Sequence, residues 1–259
     1  MTITSINFEE KHKYLSDIRI KRDGSKSNIK MYILRMVLIC MVFILMGCAS
    51  KTIRGSKEIT IKDAIKTKTL NSGTVESYID FQIIDQISQR IAVHAGNYPP
   101  KFDNIGQRKK IVIDLKKTLY LLKTLLTQEN KDPRLLIRIG FLNSMGHNLG
   151  FPGSDKKAIK AFEKLLKLHP NHPKGNYYYG IFLASTAKFQ LKSVKYLKKS
   201  IELGALDAMF TLGLVYLRAG KEKQGIILLQ KYAVMYPEST ATELIKSFKE
   251  GRLKFHKSN

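Results

Sequence analysis

Apolar positions recur at intervals of three and four along most of this chain, and each such stretch predicts an amphipathic helix. From about Gly73, the residues Val75, Tyr78, Ile79, Ile83, Ile87 and Ile91 keep this spacing until Gly96-Asn97-Tyr98-Pro99-Pro100 ends it. A second helix begins near Asp103 or Asn104, either of which can cap it, with Ile111, Leu115, Leu119, Leu122 and Leu126 on its buried face. Pro133 to about Met145 predicts a third. Ser154 is the natural N-cap of a fourth, which packs through Ala158, Ala161, Phe162, Leu165 and Leu166 and stops at His169-Pro170. Pro173 to Gly204 holds the next pair, with Tyr177-Tyr178-Tyr179 in its first helix. After Pro237, Thr240-Ala241-Thr242-Glu243 forms a capping box for a terminal helix. That helix turns Leu244, Ile245, Phe248 and Leu253 inward and Lys246, Lys249 and Glu250 to water. Residues 49–72 mix Lys, Thr and Ser with isolated Ile; they read as a tether, with room for a short helix around Ile61 to Ile65.

The helices come in pairs that repeat. Ala205 to Glu238 reads Met209-x-x-Leu212-Gly213-x-x-Tyr216, then Gly220, Gly225-x-x-x-Leu229 and Pro237. Upstream, Asn176-x-x-Tyr179-Gly180-x-x-Leu183 precedes Ser193-x-x-x-Leu197 and Ser200. Further upstream, Leu136-x-x-Ile139-Gly140 precedes Ala158-x-x-x-Phe162, Leu165 and Pro170. A glycine in the first helix lets the second approach closely, Gly220 releases a tight turn, and Pro237 stops the second helix. Pro133 and Pro173 each stand seven residues before the helix glycine, at the first-turn position that proline tolerates. Between Gly140 and Gly180 the period is long, because Gly146 to Gly153 swells the turn. An alternative register puts Gly146 in the place of Gly140; the insertion is preferred because it aligns both prolines.

Over residues 133–239 this pattern resembles the tetratricopeptide repeat. The resemblance implies an all-α protein, a right-handed α-solenoid of helical hairpins, in which no hairpin buries its apolar face alone. Residues 132–239 then hold three repeats, 73–131 a leading helix pair that covers the open end as a degenerate repeat, and 240–259 a capping helix and tail. In this family the first helix of each hairpin, helix A, lines a concave surface that holds partner peptides. The resemblance puts Arg134, Arg138 and Phe141 on it, then Lys174, Tyr177, Tyr178 and Ile181, then Phe210, Leu214 and Arg218. Aromatic area supplies affinity there and cations read carboxylates; the competing role for several of these residues is packing between repeats. Tyr178 and Phe210 are expected to share one groove. The asparagines of the carboxylate clamp known in chaperone-binding members are missing.

The start of the chain has a different pattern. Met36 to Met46 is an unbroken apolar run behind Arg35 and a basic segment, too short to span a bilayer but fitting the core of a signal peptide. It ends in Leu45-Met46-Gly47-Cys48-Ala49-Ser50, which resembles the lipobox of bacterial lipoproteins. The resemblance implies cleavage of residues 1–47, a lipid on Cys48, and a linker over 48–72. Either Met31 is the true start or the first thirty residues form a long basic n-region. The other cysteine, Cys40, lies in the removed part, so the processed chain has no pair for a disulfide. Ala49 after the cysteine favours the outer membrane, facing the periplasm, by lipoprotein sorting resemblance.

The net charge is +24. Residues 1–47 carry eight Lys/Arg and four Asp/Glu, so the remainder keeps 37 and 17, a net +20. The excess is mostly lysine, spread singly along helices. That argues against nucleic acid, which favours arginine's planar fork, and leaves a solvated surface or attraction to anionic lipid. No phosphate loop, paired carboxylates or nucleophile elbow appears. His169 and His172 flank a helix-breaking proline and His147 lies in a separate loop, so they read as turn residues and not as a metal site. His94 caps the end of its helix, and Asp132 and Asp207 start theirs. No catalytic residue, metal or cofactor is expected. The reading is a non-enzymatic scaffold for envelope proteins, on the plan of assembly-factor lipoproteins, pilus pilotins or the T component of TRAP transporters. The alternative, similar to that T component, is a carrier of a small hydrophobic ligand, motivated by the Ile-rich helix at 75–91 and the Gly/Pro loop at 146–153.

Overall fold

The structure is a computed structural model that describes residues 19–20, 58–126, 132–186 and 190–254. The apolar run Met36–Met46 and Cys48 lie outside the described residues. After a 3-10 turn at Ile61–Ala64, strands β1 (Ile65–Thr69) and β2 (Val75–Ile79) form an antiparallel hairpin. Nine helices follow among the described residues: α1 (Phe81–Ala95), α2 (Ile105–Thr124), α3 (Pro133–Asn148), α4 (Ser154–Leu168), α5 (Pro173–Ala184), α6 (Gln190–Glu202), α7 (Ala208–Arg218), α8 (Glu222–Met235) and α9 (Ala241–Lys249).

The hairpin overturns two expectations. The described part of the supposed linker, 58–72, is folded, and the first helix starts at Phe81 instead of near Gly73. Val75, Tyr78 and Ile79 mimic a helical interval, but Ile65-Lys66-Thr67-Lys68-Thr69 and Val75-Glu76-Ser77-Tyr78-Ile79 are alternating segments rich in β-branched and aromatic residues. Gly73, at φ 80°, closes the turn between them. With the later start, the buried stripe of α1 is Ile84, Ile87 and Ile91, and Ile83 is only half-buried. On α2 the buried face is Ile111, Leu115, Thr118 and Leu122; Leu119 is half-buried, and Leu126 lies beyond the helix and is exposed. Asn104, not Asp103, caps it by accepting from Gln107 N–H.

Helices pair as α1–α2, α3–α4, α5–α6 and α7–α8, and the A helices stack in the series α1, α3, α5, α7. The glycines set the pairing distance. A Cβ on Gly140 would lie 2.6 Å from the Phe162 ring, on Gly180 2.8 Å from Leu197, and on Gly213 2.8 Å from Leu229. One glycine in each of α3, α5 and α7 therefore faces one large residue of its B helix, which settles the first repeat on Gly140. The extra length before Gly180 is mostly helix: α3 runs on to Asn148, whose side chain donates to Ala95 O at 2.8 Å. That bond satisfies one of the orphan carbonyls at the end of α1. Leading pair and first repeat are thereby tied together.

Two caps differ from expectation. Gly153 in the left-handed region precedes α4, so Ser154 is its first residue, buried against Gly146. Thr240 precedes α9 at φ −74° and ψ 2° instead of the extended backbone usual for an N-cap, and its side chain makes no cap bond, so the capping box is not formed. Leu244 and Ile245 are buried as expected and Phe248 is half-buried, whereas Leu253 lies beyond α9, which ends at Lys249, and is buried from there; all are in one cluster with α7 and α8 residues.

Candidate functional site

Three A helices bound an open cavity of about 270 Å³. Helix α1 lends Asp85, Ser88 and Gln89; α3 lends Arg134, Ile137, Arg138 and Phe141; His172, Lys174 and Tyr178 come from the start of α5. Five of the ten residues named from sequence for the concave surface meet here: Arg134, Arg138, Phe141, Lys174 and Tyr178. Phe141 and Tyr178 stack with ring centroids 4.7 Å apart, and both are half-buried, so they present aromatic area to the cavity.

The cations of this groove are not equivalent. Arg138 grips Asp85 with two hydrogen bonds, Nε to Oδ1 at 2.8 Å and Nη2 to Oδ2, and donates a third to Arg134 O at 2.7 Å. Its guanidinium also sits 4.5 Å from the centroid of Phe81. Arg134 makes the same two-pronged contact with Asp132, which caps α3 by accepting from Arg134 N–H, and its guanidinium lies 5.2 Å from the centroid of Phe81. The Arg134 hydrogen bond holds the Asp132 carboxyl below the usual carboxylate range. Both guanidinium groups are thus held by the chain's own carboxylates, contrary to the expectation that they read a partner's. Lys174 is exposed at the mouth and makes no ion pair among the described residues. His172 caps α5: its Nδ1 accepts from Gly175 N–H at 3.1 Å. Burial, with His169 and Lys174 nearby, lowers its affinity for a proton.

The other five named residues lie elsewhere. Phe210 is 3% exposed and packs on Tyr232 at 5.3 Å; Leu214 and Tyr177 are buried in the same cluster. Ile181 is buried with them, and Arg218 is half-buried in the last turn of α7. Tyr178 and Phe210 therefore do not share a groove. The reason is register: three residues before the helix glycines stand Ile137, Tyr177 and Phe210, all buried, whereas two before them stand Arg138, Tyr178 and Thr211. Phe210 corresponds to Tyr177, not to Tyr178. Helix α7 is moreover apolar nearly all round, and such a helix is packed on every side.

Asp85, Gln89 and Phe81 went unnoticed in the sequence, although they lie four residues apart on the face of α1 away from Ile84 and Ile91. The features behind a hydrophobic carrier have other uses. Ile84, Ile87 and Ile91 are fully packed in the core, and the Gly/Pro loop is the end of α3 with a tight turn. Among the described residues no group of three His, Cys, Asp or Glu side chains could hold a metal ion. On the opposite side, the Tyr179 hydroxyl donates to Glu163 at 3.0 Å; burial and then that carboxylate push the phenol pKa well up.

The tetratricopeptide repeat family matches residues 207–239. Among solved structures, the chain is similar to MamA as the RS-1 ArsTM double mutant, with 30% identity over 52% of this chain and 74% of that one and a TM-score of 0.41. It is also similar to MamA 41-end from Desulfovibrio magneticus RS-1, with 27% identity over 57% of this chain and 84% of that one and a TM-score of 0.43. No curated protein matches the chain.

Proposed function

The chain belongs to the tetratricopeptide repeat family, and from that premise we propose that it is a non-enzymatic scaffold that holds an extended segment of a partner protein in the groove of α1, α3 and α5. The observation that carries this reading is the half-exposed Phe141–Tyr178 stack over an open cavity, with Lys174 at its mouth. An apolar side chain of the partner fits against the two rings, and a nearby carboxylate pairs with Lys174. The scaffold works in a bacterial envelope, anchored by lipid on Cys48 in the outer membrane and facing the periplasm. Its partner is an envelope protein.

The test is photo-crosslinking in cells. A photoreactive residue at position 178 is expected to give a discrete adduct that is lost with Phe141→Ala and absent when the probe is at the exposed Leu191 of α6. The same adducts from both positions would reject the groove. For the anchor, Cys48→Ser is expected to leave the chain unprocessed or to release it from the membrane fraction. Wild-type protein found uncleaved in the cytosol would end the envelope reading.

A further inference from the structure

A second surface, formed by β1, β2 and α2, has no part in the groove. Along α2, Ile105, Lys109, Ile113 and Tyr120, with Lys116 and Lys117 each three or four residues from both Ile113 and Tyr120, form one stripe. All are exposed, Ile105 at 75%, Tyr120 at 73% and Ile113 at 48%. The stripe continues onto the hairpin through a shallow depression of about 520 Å³ lined by Ile61, Ile65, Lys116, Lys117, Tyr120 and Leu121. Ile65 and Val75 lie on the same face of the hairpin, by the pairing Ile65↔Ile79 and Thr69↔Val75, and both are exposed. No carboxylate lines the depression. The single acid of α2, Asp114, is turned to Arg90 at 2.9 Å, and Glu76 is on the other face of the hairpin opposite Lys68.

We propose that this face rests on an anionic lipid bilayer, with Ile65 and Tyr120 entering the headgroup region and the α2 lysines over the acidic lipids. Water-exposed isoleucine and tyrosine with lysines that can snorkel suit an interface in which apolar bodies sink and ammonium groups stay in the headgroup layer. The charge is complementary to anionic lipid, and no carboxylate of the stripe opposes it. A nucleic acid would leave the isoleucines without a partner, and the stripe has no arginine to fork onto phosphate. The position in the chain agrees. Ile61 is three residues from Glu58, and Glu58 is ten positions after Cys48, a length that spans at most about 35 Å. Among the described residues no helix is long and apolar enough to cross a membrane. The proposal leans on the Cys48 anchor for this geometry, and its test separates the two.

The chain contains no tryptophan, so one introduced residue reports on one place. Tyr120→Trp, and as control Leu191→Trp, are made in the full chain and reconstituted into phosphatidylethanolamine–phosphatidylglycerol vesicles with brominated acyl chains. The expected result is a blue shift and at least twofold quenching at position 120, none at 191, and loss of the quenching on adding Lys116→Glu with Lys117→Glu. Unquenched emission at 120 in protein that co-floats with the vesicles overturns the proposal and leaves the anchor standing. Equal quenching in phosphatidylcholine vesicles, or release of the quench by RNA, overturns it as well. If mass spectrometry finds Cys48 without lipid while position 120 is still quenched, the bilayer face stands and the anchor reading falls.

Discussion

Helices α3 and α7 occupy the same place in the first and third repeats and have opposite surfaces. Two residues before the glycine, α3 has Arg138 and α7 has Thr211; one residue after it, α3 has Phe141 and α7 has Leu214. In α3 these positions line the groove, and in α7 they are buried. Yet the family pattern is strongest at 207–239, around α7, and looser around α3. The repeat pattern is a packing code: it specifies which residues let two helices approach and which fill the space between them. A helix that satisfies it on every side has nothing left to offer a partner. The groove lies where the pattern is degenerate, in polar and aromatic residues that packing does not require.

The largest test of this comparison is Phe210→Ala against Tyr178→Ala. Phe210 is core, so its truncation is expected to cost about 3–5 kcal/mol of folding free energy, read from urea or guanidinium unfolding. A loss below about 1 kcal/mol would mean that the third repeat is open and the contrast between the halves is wrong. Tyr178→Ala is expected to leave the unfolding midpoint nearly in place and to weaken the crosslinked partner by about 1–3 kcal/mol. If folding drops as far as in Phe210→Ala, Tyr178 is packing material and the groove loses its floor.

These two residues also show how far the sequence could be read. Helical hairpins, their order and the glycine contacts were legible, because Gly140, Gly180 and Gly213 recur with a large B-helix residue at a fixed offset from each small one. Half of the groove was legible too, since Arg134, Arg138, Phe141, Lys174 and Tyr178 stand on one helical stripe per repeat. The one-residue slip that matched Phe210 with Tyr178 turned a core residue into a surface one, for on a helix one residue is about 100° of rotation. Asp85 could not be read at all: its link to Arg138 joins residues 53 apart through the stacking of α1 on α3, which no local period encodes. The β hairpin was lost because five-residue strands give too few alternations to outweigh a chance interval of three.

The third test is smaller and concerns the groove's cations. Arg138 is 15% exposed and Asp85 49%, so Asp85→Asn is expected to cost no more than about 1 kcal/mol of stability. It should also release the guanidinium toward the cavity, and binding of an acidic partner segment should tighten several-fold, seen in titrations with a peptide identified by crosslinking. Unchanged or weaker binding would show that the Asp85–Arg138 pair shapes the groove instead of masking its charge.

The smallest effect separates the two regions by pH. Helix α5, at the groove, starts on a histidine cap, whereas α7 has Asp207 at its cap position with no side-chain cap bond. His172 accepts from Gly175 N–H and therefore works as a cap only when neutral. Its folded-state pKa is lowered from the ordinary 6.5, first by burial and then by His169. Between that lowered value and 6.5 the unfolded chain binds more protons than the folded one, so stability rises with pH through this window. The contribution is complete above about 6.5 and is lost as the pH falls below it. A helix cap is worth about 0.5–2 kcal/mol, which sets the ceiling, and partial exposure keeps the effect to the lower end. His172→Asn retains a capping side chain and does not titrate, so its stability should fall less than wild type's between pH 7.5 and 5, all other groups being common to both. Urea midpoints at the two pH values measure this directly. Parallel losses in wild type and His172→Asn would mean that the cap bond is not what the proton breaks, and the groove would have no more pH dependence than the closed end.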